Sequence, residues 1–156
     1  MMTNRKIIFI LLALISFSIK SQDIIEHSKL TVNGVNILGQ HKSILTSKFG
    51  KPSKITEDYS DIEDKSMYIY KYSGFEIYVI DDVVESFEII GNNYQFTFGS
   101  IKIGDDISKV KNKFPNSYKE RKKDYLIINL KEVDKFVSVE FNSISNNISK
   151  INIDNY

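Results

Sequence analysis

ILGQHKSILTSKFGKP, residues Ile37 to Pro52, decides the architecture, because its outline returns 65 positions later as IGDDISKVKNKFP, Ile103 to Pro115. Gly39 matches Gly104 and Phe49 matches Phe114 without a gap, and upstream Gly34 matches Gly99 at the same offset. Coincidences that share one offset imply an internal repeat of one small unit.

Each copy reads as one short helix. In the first, Ile44, Leu45 and Phe49 form an apolar stripe, Gly50 stands where a left-handed C-cap would, and Pro52 prevents continuation. In the second, Ile107, Val110 and Phe114 fall at i, i+3 and i+7, and Asp105 or Asp106 is placed to accept a first-turn amide. Lys109, Lys111 and Lys113 gather toward its carboxyl end, where the helix dipole favours them, and Pro115 ends it. Helices of about three turns do not persist alone, so both need a sheet to pack against.

Strand-like sequence follows each helix. Residues 67–73, 75–80 and 83–90 are rich in Tyr, Ile, Val and Phe and are separated by Ser73-Gly74 and Asp81-Asp82, which predicts a three-stranded antiparallel meander. Residues 125–130, 136–141 and 148–153 repeat the design, with Lys131 to Lys135 and Asn146-Asn147 as connections. Val137, Val139 and Phe141 alternate with Ser138 and Glu140, so that strand has one wet face, whereas Val83 to Ile90 alternates less clearly and reads as buried on both sides or as a central strand. Short strands are expected at Leu30 to Val32, closed by Asn33-Gly34, and at Phe96 to Phe98, ending at Gly99. The expected class is therefore α+β, with two pseudo-repeats over about 30–90 and 95–153, each a short helix and a three-stranded meander, helices packed on sheet. The pattern leaves open whether the two meanders share one sheet.

Residues 1–21 stand apart from this. Arg5 and Lys6 precede an apolar run from Ile7 to Ile19, which reads as a signal peptide. The run is shorter than the roughly 20 residues that span a bilayer as a helix, so no stable membrane insertion is expected after cleavage. Residues 22–156 form one exported domain on this reading, periplasmic or secreted. Of 21 basic residues, removal of Arg5, Lys6 and Lys20 leaves 18 against 20 acidic ones, a net charge of −2 that gives no general attraction to nucleic acid. There is no cysteine to form a disulfide, carry a lipid or ligate a metal, and ten Phe and nine Tyr supply much of the core.

Catalytic signatures are sparse. His27 sits in a polar lead-in and His41 at a helix opening, neither with a second histidine at ligand spacing, so no metal site, catalytic residue or cofactor is expected. Glu57, Asp58, Asp61, Glu63 and Asp64 lack the order and glycine of a calcium loop and read as a solvated loop or as a rim for a basic partner. Lys119, Arg121, Lys122 and Lys123 read as a solvated turn. The candidate binding residues are aromatic. Tyr68, Tyr70 and Tyr72 project from one face at the two-residue period, with Tyr78 expected across from them on the next strand. Tyrosine concentrates in interfaces because it offers rigid apolar area with a polar end, and the same row can equally cover a core.

The run Ile37-Leu38-Gly39 through Phe49-Gly50-Lys51-Pro52, with Tyr68 to Gly74 and the weaker Ile103-Gly104-Asp105 through Phe114-Pro115, resembles the tandem units of the beta-lactamase-inhibitor-protein-like (BLIP-like) superfamily. More distantly it resembles outer-membrane assembly lipoproteins of the SmpA/OmlA type. The resemblance implies a helical layer on an antiparallel sheet and binding of another protein or an envelope component. The missing lipobox cysteine departs from the lipoprotein branch. An exported protein-binding or inhibitor-like module is the leading expectation; an envelope structural or assembly component, or a hydrolase without recognisable motif, are the alternatives.

Overall fold

The computed structural model describes residues 23–97, 100–131 and 133–155. The expected signal peptide, residues 1–21, and Gly99 lie outside the described residues. Along the chain run β1 (Ile24–Glu26), a 3-10 turn (His27–Lys29), β2 (Thr31–Val32), α1 (Ser43–Phe49), β3 (Lys54–Ser60), β4 (Lys65–Tyr72), β5 (Phe75–Ile80) and β6 (Val83–Ile89). Then come β7 (Phe96–Thr97), α2 (Ser108–Lys113), α3 (Pro115–Lys119), β8 (Tyr125–Lys131), β9 (Lys135–Phe141) and β10 (Ile148–Asn155).

One continuous mixed sheet of eight strands, ordered β1-β8-β9-β10-β6-β5-β4-β3, replaces the two expected three-stranded meanders. The seam is β10 against β6, antiparallel, with Ile151 opposite Ile89 and Asn152 opposite Glu88. Joining there pairs the backbone of two apolar strands that would otherwise each present an open edge. The first half has four strands, because Lys54–Ser60 pairs along its length with β4. Glu57 and Asp58, expected in a loop, lie in that strand and remain exposed because it is an edge. The polar lead-in also contributes: β1 runs parallel to β8, with Ile25 buried opposite Leu130. Meanwhile β2 and β7 pair with each other as a separate ribbon.

All three helices are short and owe their place to burial. Leu45 of α1 and Val110 of α2 join the sheet residues Phe75, Ile77, Phe87, Ile151, Val139 and Leu126 in one core. Pro115 ends α2 and also opens α3, where a first-turn residue lacking N–H leaves no bond unmade. The Asp23 carboxylate accepts the Ser117 N–H at 2.6 Å, tying the lead-in to that helix start.

Both halves join helix to sheet by the same backbone bonds. The Gly39 N–H donates to Val84 O at 2.8 Å, the Val84 N–H to Gln40 O at 2.9 Å, and the Lys42 N–H to Asp82 O at 2.7 Å. In the second half the Gly104 N–H donates to Ile148 O, the Ile148 N–H to Asp105 O and the Ile107 N–H to Asn146 O, each at 2.8 Å.

Candidate functional site

Cross-strand register places the four tyrosines. Tyr68, Tyr70 and Tyr72 stand opposite Val79, Ile77 and Phe75, so the row points to the helix-covered side. Tyr72 is buried there, its hydroxyl donating to Gly50 O at 3.2 Å, in an aromatic cluster with Phe49 and Phe75. Tyr70 is half-buried against the core, and Tyr68 is 40% exposed. Tyr78 is opposite Ile69 and Ser86 and so faces the other side of the sheet. The structure therefore does not bring the four together. Tyr72 acts in the core, and Tyr78 belongs to a second surface, where burial, with the nearby Glu88 and Glu76 charges, pushes its phenol up to about 12.

Tyr68 has other neighbours instead. Ile55 and Tyr59 of β3 stand opposite Tyr70 and Ser66, which puts their side chains on the same side of the β3–β4 arm as Tyr68. Ile55 is 50% and Tyr59 53% exposed. Tyr59 donates its hydroxyl to Asp64 at the arm's tip, and that bond raises the phenol's pKa. As the last strand of the sheet, β3 has no strand on its outer edge among the described residues. The arm carries five acidic residues, Glu57, Asp58, Asp61, Glu63 and Asp64, against Lys54, Lys65 and Lys71, of which Lys65 is bound to Asp81 and Lys71 to Glu76. An apolar, aromatic and acidic strip thus borders an open strand edge. The period-two signal at Ile55, Glu57 and Tyr59 was available in the sequence but masked by the surrounding charge.

The side of the sheet away from the helices is polar and braced across strands. Lys71 bonds Glu76 at 3.0 Å, Lys135 bonds Glu85 at 2.8 Å, and Lys150 links Glu140 at 2.6 Å with Glu88 at 3.4 Å. Hydrogen bonding to Glu140 holds the Lys150 ammonium above its ordinary pKa. These residues come from β4, β5, β6, β9 and β10, so the ladder crosses the seam between the halves.

The His41 ring accepts the Ser43 N–H at 3.2 Å at the start of α1. Among the described residues no three His, Cys, Asp or Glu side chains are placed to hold a metal ion. No helix among the described residues is long and apolar enough to cross a membrane.

No protein-family model matches the sequence, and no curated protein does. The solved structures similar in fold include two secreted proteins of bacteria. One is an extracellular protein containing an SCP domain from Bacillus anthracis, with 14% identity and a TM-score of 0.57 over 77% of this chain and 44% of that one. Another is a cysteine-rich secretory protein from Staphylococcus aureus, with 16% identity and a TM-score of 0.54 over 84% of this chain and 50% of that one. The chain spans about half the length of either, and at such identities the likeness is one of fold. It corrects the expected BLIP-like and SmpA/OmlA resemblance: the folds found to be similar occur in SCP-domain and cysteine-rich secretory proteins.

Proposed function

We propose that this chain is an exported protein-binding module that holds its partner through the β3–β4 arm. The observation that carries this reading is the conjunction of three exposed apolar side chains, Ile55, Tyr59 and Tyr68, with an unpaired strand edge. Large apolar groups left in water along an open edge are costly in isolation and are the usual raw material of an interface. Strand addition would supply the partner's main-chain bonds, and the three side chains would supply contact area. The acidic tip favours a basic partner segment. Export is supported by the charged and apolar N-terminal segment and by the extracellular and secretory descriptions of the similar structures.

The test is capture from the producing cell's envelope and culture medium by the chain from residue 22 onward. It runs beside a variant carrying Ile55→Ser, Tyr59→Ser and Tyr68→Ser. Tyr72 is left intact because its removal would open the core. A partner held by the parent, lost by the variant at unchanged melting temperature, and released by salt is the expected result. Equal retention by both proteins would remove the arm from the function.

A further inference from the structure

The opposite side of the sheet, on the far half of the molecule, holds a groove of about 670 Å³ that the arm's function does not use. Its walls follow from three successive cross-strand rows. Tyr125 stands beside Glu140 and Lys150, Ile127 beside Ser138 and Asn152, and Asn129 beside Phe136 and Asp154. Tyr125, Ile127 and Phe136 are the apolar walls, Ser138 is buried between them, and Asp124, Glu140 and Asp154 are the charged lining. Tyr125 and Ile127 remain 37% and 39% exposed on a strand whose alternate residues, Leu126 and Ile128, are buried. The volume lies within the roughly 300–1,000 Å³ of small-molecule sites.

The three carboxylates are not equivalent: Asp124 is exposed in the bend before β8. Glu140 is already neutralised by Lys150, which is further engaged by Glu88. Asp154 accepts one bond, from the side-chain amide of Asn152, and no lysine, arginine or histidine among the described residues pairs with it. The side-chain oxygen of Asn152, Oδ1, is buried with no hydrogen-bond partner among the described residues. Burial also pushes the Asp154 carboxyl above its ordinary pKa, against the opposing pull of Asn152 and Lys150. This part of the surface therefore has acceptors and negative charge in excess of donors. An anion would be repelled, and a neutral apolar molecule would strip water from Asp154 without replacing it. A cation on an apolar body satisfies both the carboxylate and the walls, and aromatic rings attract it further.

We propose that this groove binds a small organic ammonium compound, its charged nitrogen on Asp154 and its apolar body between Tyr125, Ile127 and Phe136. Recognition here is independent of the β3–β4 arm, which lies at the opposite end of the sheet.

The probes are phenethylammonium, its anionic counterpart phenylacetate, and neutral 2-phenylethanol, titrated at neutral pH into the chain from residue 22 onward while backbone amide resonances are followed. A blocked Phe-Lys-Phe peptide serves as the arm representing a partner's side chain. Saturable shifts confined to β8, β9 and the end of β10, seen with phenethylammonium and not with the anion or the alcohol, are the expected result. Asp154→Asn weakens that binding by about tenfold, the size of one charge-assisted contact, and the Ile55, Tyr59 and Tyr68 variant binds as the parent does. Ile127→Ser gives an independent loss should Asp154→Asn fail to fold. The proposal is overturned by absence of saturable shifts, by equal response to the alcohol or phenylacetate, by full affinity in a folded Asp154→Asn, or by saturation with the peptide alone.

Discussion

At the first junction of helix and sheet, Gly39 (φ 74°) leads into α1 and the His41 ring accepts the Ser43 N–H. At the second, Gly104 (φ 87°) leads into α2 and the Asp106 carboxylate accepts the Ser108 N–H at 2.8 Å. Each glycine sits at the same place in the local pattern, followed two residues on by a side chain that caps the opening helix. What fills the space behind these junctions differs. The first half packs rings: Phe49 lies 5.5 Å from Phe75 and Phe75 lies 6.0 Å from Phe87, and the chain of rings ends on Phe96 at the start of the second half, 5.6 Å from Phe87, all edge-to-face. The second half packs branched aliphatics, with Val110, Leu126, Ile128, Val137, Val139 and Ile151 all buried. Backbone geometry at a junction is fixed by a positive φ and a few hydrogen bonds, whereas a core accepts any filling of the right volume.

The sharpest way to break that comparison is to remove one ring and one methyl. Phe75 is fully buried and touches the rings of Phe49, Tyr72, Phe87 and Tyr94, so Phe75→Ala leaves a large cavity. Its expected cost is about 3–5 kcal/mol, against about 0.5–1.5 kcal/mol for Ile151→Val in the other half. Urea unfolding of both variants measures this. Similar costs would mean that the aromatic half collapses around the loss and that its rings are not tightly interlocked.

The junctions themselves are next in size. Gly39→Ala and Gly104→Ala both force a side chain into the left-handed region and should each cost about 1–2 kcal/mol. Near-equal losses follow from equal geometry; a cost at one site alone would show that the second loop adapts. The residue after each glycine separates them. Asp105 is buried, accepting the Lys102 N–H at 3.1 Å and the Lys109 ammonium at 2.7 Å, while Gln40 is exposed. Asp105→Ala should cost about 1–3 kcal/mol by stranding those donors. Gln40→Ala should stay within about 0.5 kcal/mol, as surface changes do. Thermal melts of the pair decide it.

Those junctions were legible in the sequence because glycine is hard to replace at positive φ, so Gly39 and Gly104 stood out at one offset. The runs after each helix were legible for a related reason: β-branched and aromatic residues mark strands wherever they are buried. The assembly was not legible. Whether β6 and β10 each end a sheet or meet in one depends on contacts between residues more than 60 positions apart, such as Ile89 and Ile151, and local period says nothing about them. Edge strands were hidden by their own chemistry, since β3 carries Glu57 and Asp58 with little to bury. The tyrosine row shows the same limit. Period two placed Tyr68, Tyr70 and Tyr72 on one face, but what packs over that face, which separates a buried Tyr72 from an exposed Tyr68, is set by tertiary contacts that local period does not carry.

The smallest effects lie on the side away from the helices, where each half carries one titratable group made reluctant to ionise by burial. Tyr78 in the first half faces Glu88, Glu76, Lys150 and Asp154, and its phenol is pushed up to about 12 from 10.0. Because the folded value is the higher one, its stabilisation is complete below pH 10.0 and is lost as pH rises toward about 12. Asp154 in the second half faces Lys150 and Glu140, and its carboxyl is also raised. Its contribution is complete below the ordinary carboxylate pKa and is lost as pH rises through the raised value, so the ionised carboxylate is a standing cost at neutral pH. Tyr78→Phe should therefore flatten the alkaline limb of stability against pH and leave the acid limb unchanged. Asp154→Asn should do the reverse and gain under about 1 kcal/mol at neutral pH, a small figure because the carboxylate is partly exposed and solvent screens it. Urea midpoints across the pH range measure both. If one substitution moved both limbs, the two groups would titrate as a coupled pair across the seam, and the halves would not be electrostatically separate.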